Sequence, residues 1–160
     1  MLARIKNEAV LADTSAGPGP VTGDEEIECL KGSGTMPTLL PGASLFLGMP
    51  YAPARKMISK NCQVALASDF NPGSSMTQNM SLVWSIAAIK MGIVCEELLW
   101  ATTIIPAKSL GRDQDIGSIK VGKKADLVIM DIPNLDYLAY HMGINHVIMT
   151  IKNGEVVYKR

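Results

Sequence analysis

The chain has 160 residues, 48% apolar and 19% charged, and its fifteen basic and fifteen acidic side chains cancel. That balance implies one globular domain with room for a core, and it excludes a disordered chain or a polybasic binder of nucleic acid or membrane surface. No apolar run approaches the ~20 residues of a membrane helix and the first residues lack the layout of a signal peptide, so a cytoplasmic setting and a small-molecule or subunit partner are expected. Cys29, Cys62 and Cys95 are odd in number and widely spaced, which points to reduced thiols and away from a disulfide framework or a thiolate metal site.

Taken in chain order, residues 9–13 read as a buried strand of parallel-sheet type that ends on Asp13. Residues 14–23 are rich in Gly and Pro without periodicity and read as a flexible loop; Gly17-Pro18-Gly19-Pro20 lacks the Gly-Lys-Ser/Thr of a phosphate loop. Residues 24–31 open on a capping-type Asp with acids in the first turn and predict a short surface helix. Residues 35–40 predict a strand, with Pro37 counting against a central position, and Pro41-Gly42 predicts a closing turn. A helix over 53–60, with Arg55 and Lys56 outward and Met57 and Ile58 inward, leads to a strand over 64–67. This succession is βα logic.

At the mouth of that last strand stands Asp69. Asn71-Pro72-Gly73 predicts a tight turn with exposed amides, and Ser74 or Ser75 is a candidate cap for the next helix. That helix is expected over 76–91, with Met80, Val83 and Ala87 on one stripe, Leu82, Ile86 and Ile89 widening it, and Gly92 as its stop. Glu96 and Glu97 open another helix that runs through Trp100, and Pro106 is tolerable only near a helix start. From Gly117 the period changes: a strand over 125–132 precedes a hairpin of 147–151 with 155–158 around Asn153-Gly154.

Leu39-Leu40-Pro41-Gly42-Ala43, Ala67-Ser68-Asp69-Phe70-Asn71-Pro72-Gly73-Ser74 and Gly117-Ser118-Ile119-Lys120-Val121-Gly122-Lys123-Lys124-Ala125-Asp126-Leu127-Val128 closely resemble the carboxy-terminal part of the imidazolonepropionase family of metal-dependent amidohydrolases. The resemblance covers residues 24 to 160 well and joins more weakly over residues 9 to 13. It implies an α/β fold: the last βα units of a TIM-type (β/α)8 barrel over residues 1–112, then strands of a small β-sandwich-like companion domain over 113–160. A full barrel takes ~250 residues, so an unclosed segment of this length predicts a homo-oligomer or association with a missing amino-terminal half.

The resemblance further implies hydrolysis of 4-imidazolone-5-propanoate to N-formimidoyl-L-glutamate by metal-activated water, with Zn2+ or Fe3+. Asp69 would be a metal ligand and take a proton from the water. Asn71 and Gly73 would hold the formimino-glutamate end, and Ser74 would contact substrate. Thr14 stands where the family carries a catalytic His, and the family's other His and Glu ligands lie upstream of the matching segment. The alternative is a non-catalytic remnant or assembly module, and a deaminase-type relative is disfavoured by the Asn71-Pro72-Gly73-Ser74 turn.

Of the remaining candidates, His141 and His146 lack the i, i+4 spacing of a helical ligand pair and are expected to pack near a domain boundary. Asp113 and Asp115 are expected in a solvated turn. Ser74-Ser75 has no nearby His to support a serine nucleophile.

Overall fold

In the computed structural model, residues 8–11 and 23–160 are described. Asp13, Thr14 and the expected loop up to residue 22 lie outside them. The first layer is a parallel sheet of β1 (Glu8–Leu11), β2 (Met36–Leu39) and β3 (Ala65–Leu66), in that spatial order. Leu11 is level with Leu39, and Leu39 with Leu66, so the carboxyl ends of the strands share one edge.

β2 is therefore the central strand, against the expectation from Pro37. In a parallel strand alternate residues turn both backbone groups to alternate neighbours. The Leu39 carbonyl accepts from the Ala67 amide at 3.1 Å, so Pro37, two residues earlier, turns its donorless nitrogen toward β3. The β2–β3 ladder starts only at Thr38, so no bond of that ladder is lost.

Helices α1 (Asp24–Ser33), α2 (Pro41–Leu47) and α3 (Ala54–Ser59) alternate with these strands. Gly23, not Asp24, is the N-cap of α1, and Ile27 is its one fully buried anchor. Pro41 starts α2 where a turn was expected. A proline at the first helical position gives up an amide that has no intrahelical partner anyway, and its φ is already set for the helix. In α3 Met57 is buried and Arg55 and Lys56 are exposed, as expected.

Surface charge joins α1 to the end of α3: Lys60 Nζ donates to Asp24 Oδ1 at 2.8 Å and to Glu28 at 3.1 Å, and Lys56 Nζ donates to Asp24 Oδ2 at 2.9 Å. The hydrogen bond from Lys60, then that from Lys56, lowers the Asp24 pKa to about 2, while Asp24 and Glu28 raise that of Lys60. A depressed carboxylate stabilises the fold above its unfolded pKa and loses that contribution as pH falls through the folded value. A carbon-detected titration is therefore expected to place the Asp24 midpoint near about 2. Lys60→Met should move it up toward an ordinary carboxylate, and added salt should do the same by screening. An unmoved midpoint in Lys60→Met would remove Lys60 as the cause.

α4 (Met80–Met91) is shorter than expected, because Asn79 rather than Ser74 or Ser75 caps it: Asn79 Oδ1 accepts from the Ser81 and Leu82 amides at 3.0 and 3.2 Å. Val83, Trp84, Ser85, Ile86 and Ala87 are consecutive and all buried, which takes in more than a full turn and makes α4 the central helix of the core. Ile89, expected to widen the stripe, faces outward at 63% exposure.

α5 (Cys95–Thr102) opens where Glu97 Oε2 accepts from the Val94 amide at 3.1 Å, and Arg55 grips the same carboxylate bidentately at 2.7 and 2.8 Å. α6 (Ile104–Ser109) carries Pro106 in its first turn, as its chemistry requires.

The second layer is an antiparallel sheet of β4 (Leu127–Met130), β5 (Val147–Lys152) and β6 (Glu155–Lys159), in that order. Asn153 and Gly154 turn the hairpin with φ of 52° and 86°. Asp126 secures it, accepting from the Asn153 amide at 2.8 Å and pairing with Lys152.

A short helix outside the expected elements, α7 (Leu135–Tyr140), starts where Asn134 Oδ1 accepts from the Tyr137 amide at 3.0 Å and packs against α4 and α5, with Leu138 and Ala139 joining the core. The buried Ser85 hydroxyl donates to the Ala139 carbonyl at 2.7 Å, and Asn79 Nδ2 donates to the Gly143 carbonyl at 2.9 Å.

Candidate functional site

β3 has only two paired residues. A backbone hydrogen bond contributes about 1 kcal/mol net, whereas a fully buried aliphatic side chain contributes about 1.5–3 kcal/mol. Val64 and Leu66, 2% and 4% exposed, are therefore what fix the strand end, more than the ladder. The chain leaves at the carboxyl edge of the parallel sheet, the edge that carries chemistry in α/β barrels.

Three residues past β3 the half-buried Asp69 takes a left-handed φ of 49°. Such a conformation is uncommon outside glycine, with Asp and Asn the best tolerated side chains. It turns the chain so that residues 69–75 fold back on themselves. Asn71 and Ser75 exchange backbone bonds, Asn71 amide to Ser75 carbonyl at 3.0 Å and Ser75 amide to Asn71 carbonyl at 3.3 Å.

Asn71 organises the interior of this loop. Its Nδ2 donates to the Asp69 carbonyl at 2.6 Å, to Asp69 Oδ2 at 3.2 Å and to Ser74 Oγ at 2.9 Å. Its Oδ1 accepts from the Gly73 and Ser74 amides at 2.8 and 2.9 Å. The amides expected to lie open after Asn71-Pro72-Gly73 are thus held by an Asx-type turn. Ser74 Oγ reaches Asp69 Oδ2 at 3.5 Å and Asn71 Oδ1 at 3.2 Å. The structure therefore brings Asp69, Asn71, Gly73 and Ser74 into one small cluster.

The sequence reading missed Ser75 and Gly42. Ser75 is 2% exposed and its hydroxyl donates to the Ser68 carbonyl at 2.6 Å. Gly42, in the first turn of α2, packs so closely that a Cβ there would lie 2.8 Å from Ser75 Oγ. Only the Pro41-Gly42 pair hinted at this approach, and it reads equally well as a turn.

His141 and His146 gather around Tyr137, with ring centroids 3.7 and 5.2 Å from its ring, both edge-on. Among the described residues no group of three or more His, Cys, Asp or Glu side chains converges as a metal centre would require. Asp69 is a single carboxylate, and the described residues do not by themselves fit a catalytic metal ion. No helix among them is long and apolar enough to cross a membrane.

The Amidohydrolase family profile matches residues 15–157. The chain is 47% identical over 144 residues to an imidazolonepropionase of Thermoanaerobacter pseudethanolicus, covering 90% of this chain and 35% of that protein. It is 46% identical over 153 residues to an imidazolonepropionase of Bacillus velezensis, covering 95% of this chain and 35% of that one. It thus spans about a third of the length of these curated relatives. Among solved structures, a zinc-bound adenosine deaminase from Xanthomonas campestris superposes with a TM-score of 0.81 at 25% identity, over 93% of this chain and 36% of that chain.

Proposed function

Because the chain belongs to the amidohydrolase family, we propose that it supplies the carboxy-terminal βα units and substrate loop of an imidazolonepropionase-type hydrolase. The reaction is ring opening of 4-imidazolone-5-propanoate to N-formimidoyl-L-glutamate in histidine catabolism, in the cytoplasm. The observation that carries this reading is the Asn71-Pro72-Gly73-Ser74 turn closed against Asp69 at the carboxyl edge of the sheet. Residues 1–112 are assigned to the barrel segment and 113–160 to strands of the companion β domain.

In this reading Asp69 would be a metal ligand and the base that takes a proton from the water. Gly73 and Ser74 present adjacent amides to one acceptor, now Asn71 Oδ1. A substrate carboxylate taking that acceptor's place would receive both hydrogen bonds and free the Asn71 amide for the formimino end. The Ser74 hydroxyl, 2.9 Å from Asn71 Nδ2 and 3.5 Å from Asp69 Oδ2, would contact substrate there. Zinc and iron(III) both suit imidazole and carboxylate ligands, and the ligands beyond Asp69 would come from outside the described residues.

The test is metal content by mass spectrometry and turnover of imidazolone propanoate, on the chain alone and mixed with the amino-terminal portion of a curated relative. Metal and turnover are expected in the mixture, and Asp69→Ala should lower the metal content and reduce turnover by at least about 100-fold, the upper range seen for lost outer-shell contacts. Turnover indifferent to Asp69→Ala, or a folded mixture that takes up no metal, would overturn the reading.

A further inference from the structure

We propose that Ser75 and Gly42 form a latch that sets the backbone conformation of Asp69, making Ser75 a positioning residue of the site. Ser75 holds the loop on both sides of Asp69. Its hydroxyl fixes the Ser68 carbonyl, part of the peptide group that enters Asp69, at 2.6 Å. Its own amide and carbonyl fix Asn71, two residues beyond Asp69, at 3.3 and 3.0 Å. Between these clamps Asp69 has little choice but its left-handed φ of 49°.

The hydroxyl is aimed by packing. A Cβ at Gly42 would lie 2.8 Å from Ser75 Oγ, 3.9 Å from Ser75 Cβ and 3.7 Å from the Ser68 carbonyl oxygen, so only glycine leaves α2 in register with the loop. Ser75 is 2% exposed, and a buried hydroxyl with a short bond to a carbonyl keeps one rotamer. The first turn of α2, which follows β2, thus transmits its position to the carboxylate that follows β3. A left-handed aspartate held from both sides is a strained, over-determined element of the kind found at functional sites. Its relevance to catalysis rests on the reading of Asp69 as the metal-facing carboxylate, but the latch itself does not.

The experiment is nuclear magnetic resonance on the full chain with carbon-13 and nitrogen-15 labelled aspartate, comparing wild type with Ser75→Ala and Gly42→Ala. Wild type should show Asp69 Cα and Cβ shifts characteristic of a left-handed residue. Ser75→Ala should lose that signature while the other aspartates keep their shifts. Gly42→Ala, which retains the hydroxyl but displaces it, should change the same resonance, and Ser75→Thr should restore part of the signature lost in Ser75→Ala. A folded Ser75→Ala or Gly42→Ala protein with unchanged Asp69 shifts would overturn the latch. If Ser75→Ala does not fold, Gly42→Ala alone decides. The readout needs no metal and no turnover, so a failed latch and a failed hydrolase assignment give different results.

Discussion

Gly117→Ala is expected to destabilise the chain by roughly 2–5 kcal/mol, the sum of ~1–2 for forcing a side chain into a left-handed backbone and ~1–3 for overpacking. Gly117 has φ of 86°, and a Cβ there would lie 2.5 Å from Ala107 Cβ and 2.9 Å from the Thr103 carbonyl oxygen. Neither neighbour is the movable tip of a long side chain: one is the stub of a residue buried in α6, the other is backbone. Lys123 tightens the same segment, its ammonium donating to the Asp113 carbonyl, to the Ile116 carbonyl at 3.1 Å and to Ser118 Oγ at 2.7 Å. Relief by sliding the segment away from α6 would therefore break these bonds too.

Gly122→Ala is the matched control. Its φ is 89°, yet a Cβ there meets nothing within 4 Å. It should lose only the backbone term, ~1–2 kcal/mol. With about 2–4 °C of midpoint per kcal/mol for a chain of this size, Gly117→Ala should melt on the order of 10 °C below wild type and Gly122→Ala only a few degrees below it. Equal losses in the two variants would show that the close approach of residue 117 to α6 contributes nothing.

The elements legible in the sequence were those whose signal is local. Asn153-Gly154 between β-rich runs specified a hairpin because the turn demands positive φ at both positions, and both have it. Glu96 and Glu97 marked the start of α5, and Gly92 the stop of α4, through cap chemistry that neighbours in sequence supply. Where the structure departs from the reading, a distant contact decides. Ile89, expected to widen the α4 stripe, lies beyond the reach of the packed elements. Residues 76–79 do not join α4, because the 69–75 loop closes on itself and Asn79 both caps the helix and reaches Gly143. α7 is short, and what holds it is the core around Ser85 rather than a long periodic pattern.

The candidate site was legible as a cluster because its members are consecutive, and Asp69, Asn71, Gly73 and Ser74 do come together. What sequence could not supply was Gly42, which belongs to another βα unit, and the direction in which the Asn71 amide spends its hydrogen bonds. That direction is open to a sharp test.

Asn71→Asp should fold nearly as well as wild type in acid and fall progressively behind it as pH rises. The substitution keeps an acceptor for the Gly73 and Ser74 amides but exchanges Nδ2, which donates to the Asp69 carbonyl, Asp69 Oδ2 and Ser74 Oγ, for an oxygen. The new oxygen would face Asp69 Oδ2 across the 3.2 Å that the hydrogen bond now spans. Two unit charges near 4 Å repel by about 1 kcal/mol in water and about 4 kcal/mol near a protein surface, and this half-buried loop lies between those limits.

A proton on the new carboxyl relieves the repulsion and restores a donor, so that group holds its proton to higher pH in the folded state than in the unfolded chain. A group whose folded pKa is raised contributes stability that is complete below its unfolded pKa and is lost as pH rises through the folded one. Thermal melts should thus show a small deficit near about pH 3, where an ordinary Asp carboxyl is still largely protonated, and a full one by about pH 7. At about 2–4 °C per kcal/mol the gap should widen by several degrees across that range. A deficit independent of pH would mean that Nδ2 does not face the Asp69 carboxylate. The loop would then be held by its backbone bridge to Ser75, the Asn71 Oδ1 bonds to the Gly73 and Ser74 amides and the Ser75–Ser68 bond, and the Asn71 amide would lose its claim to orient the Asp69 carboxylate.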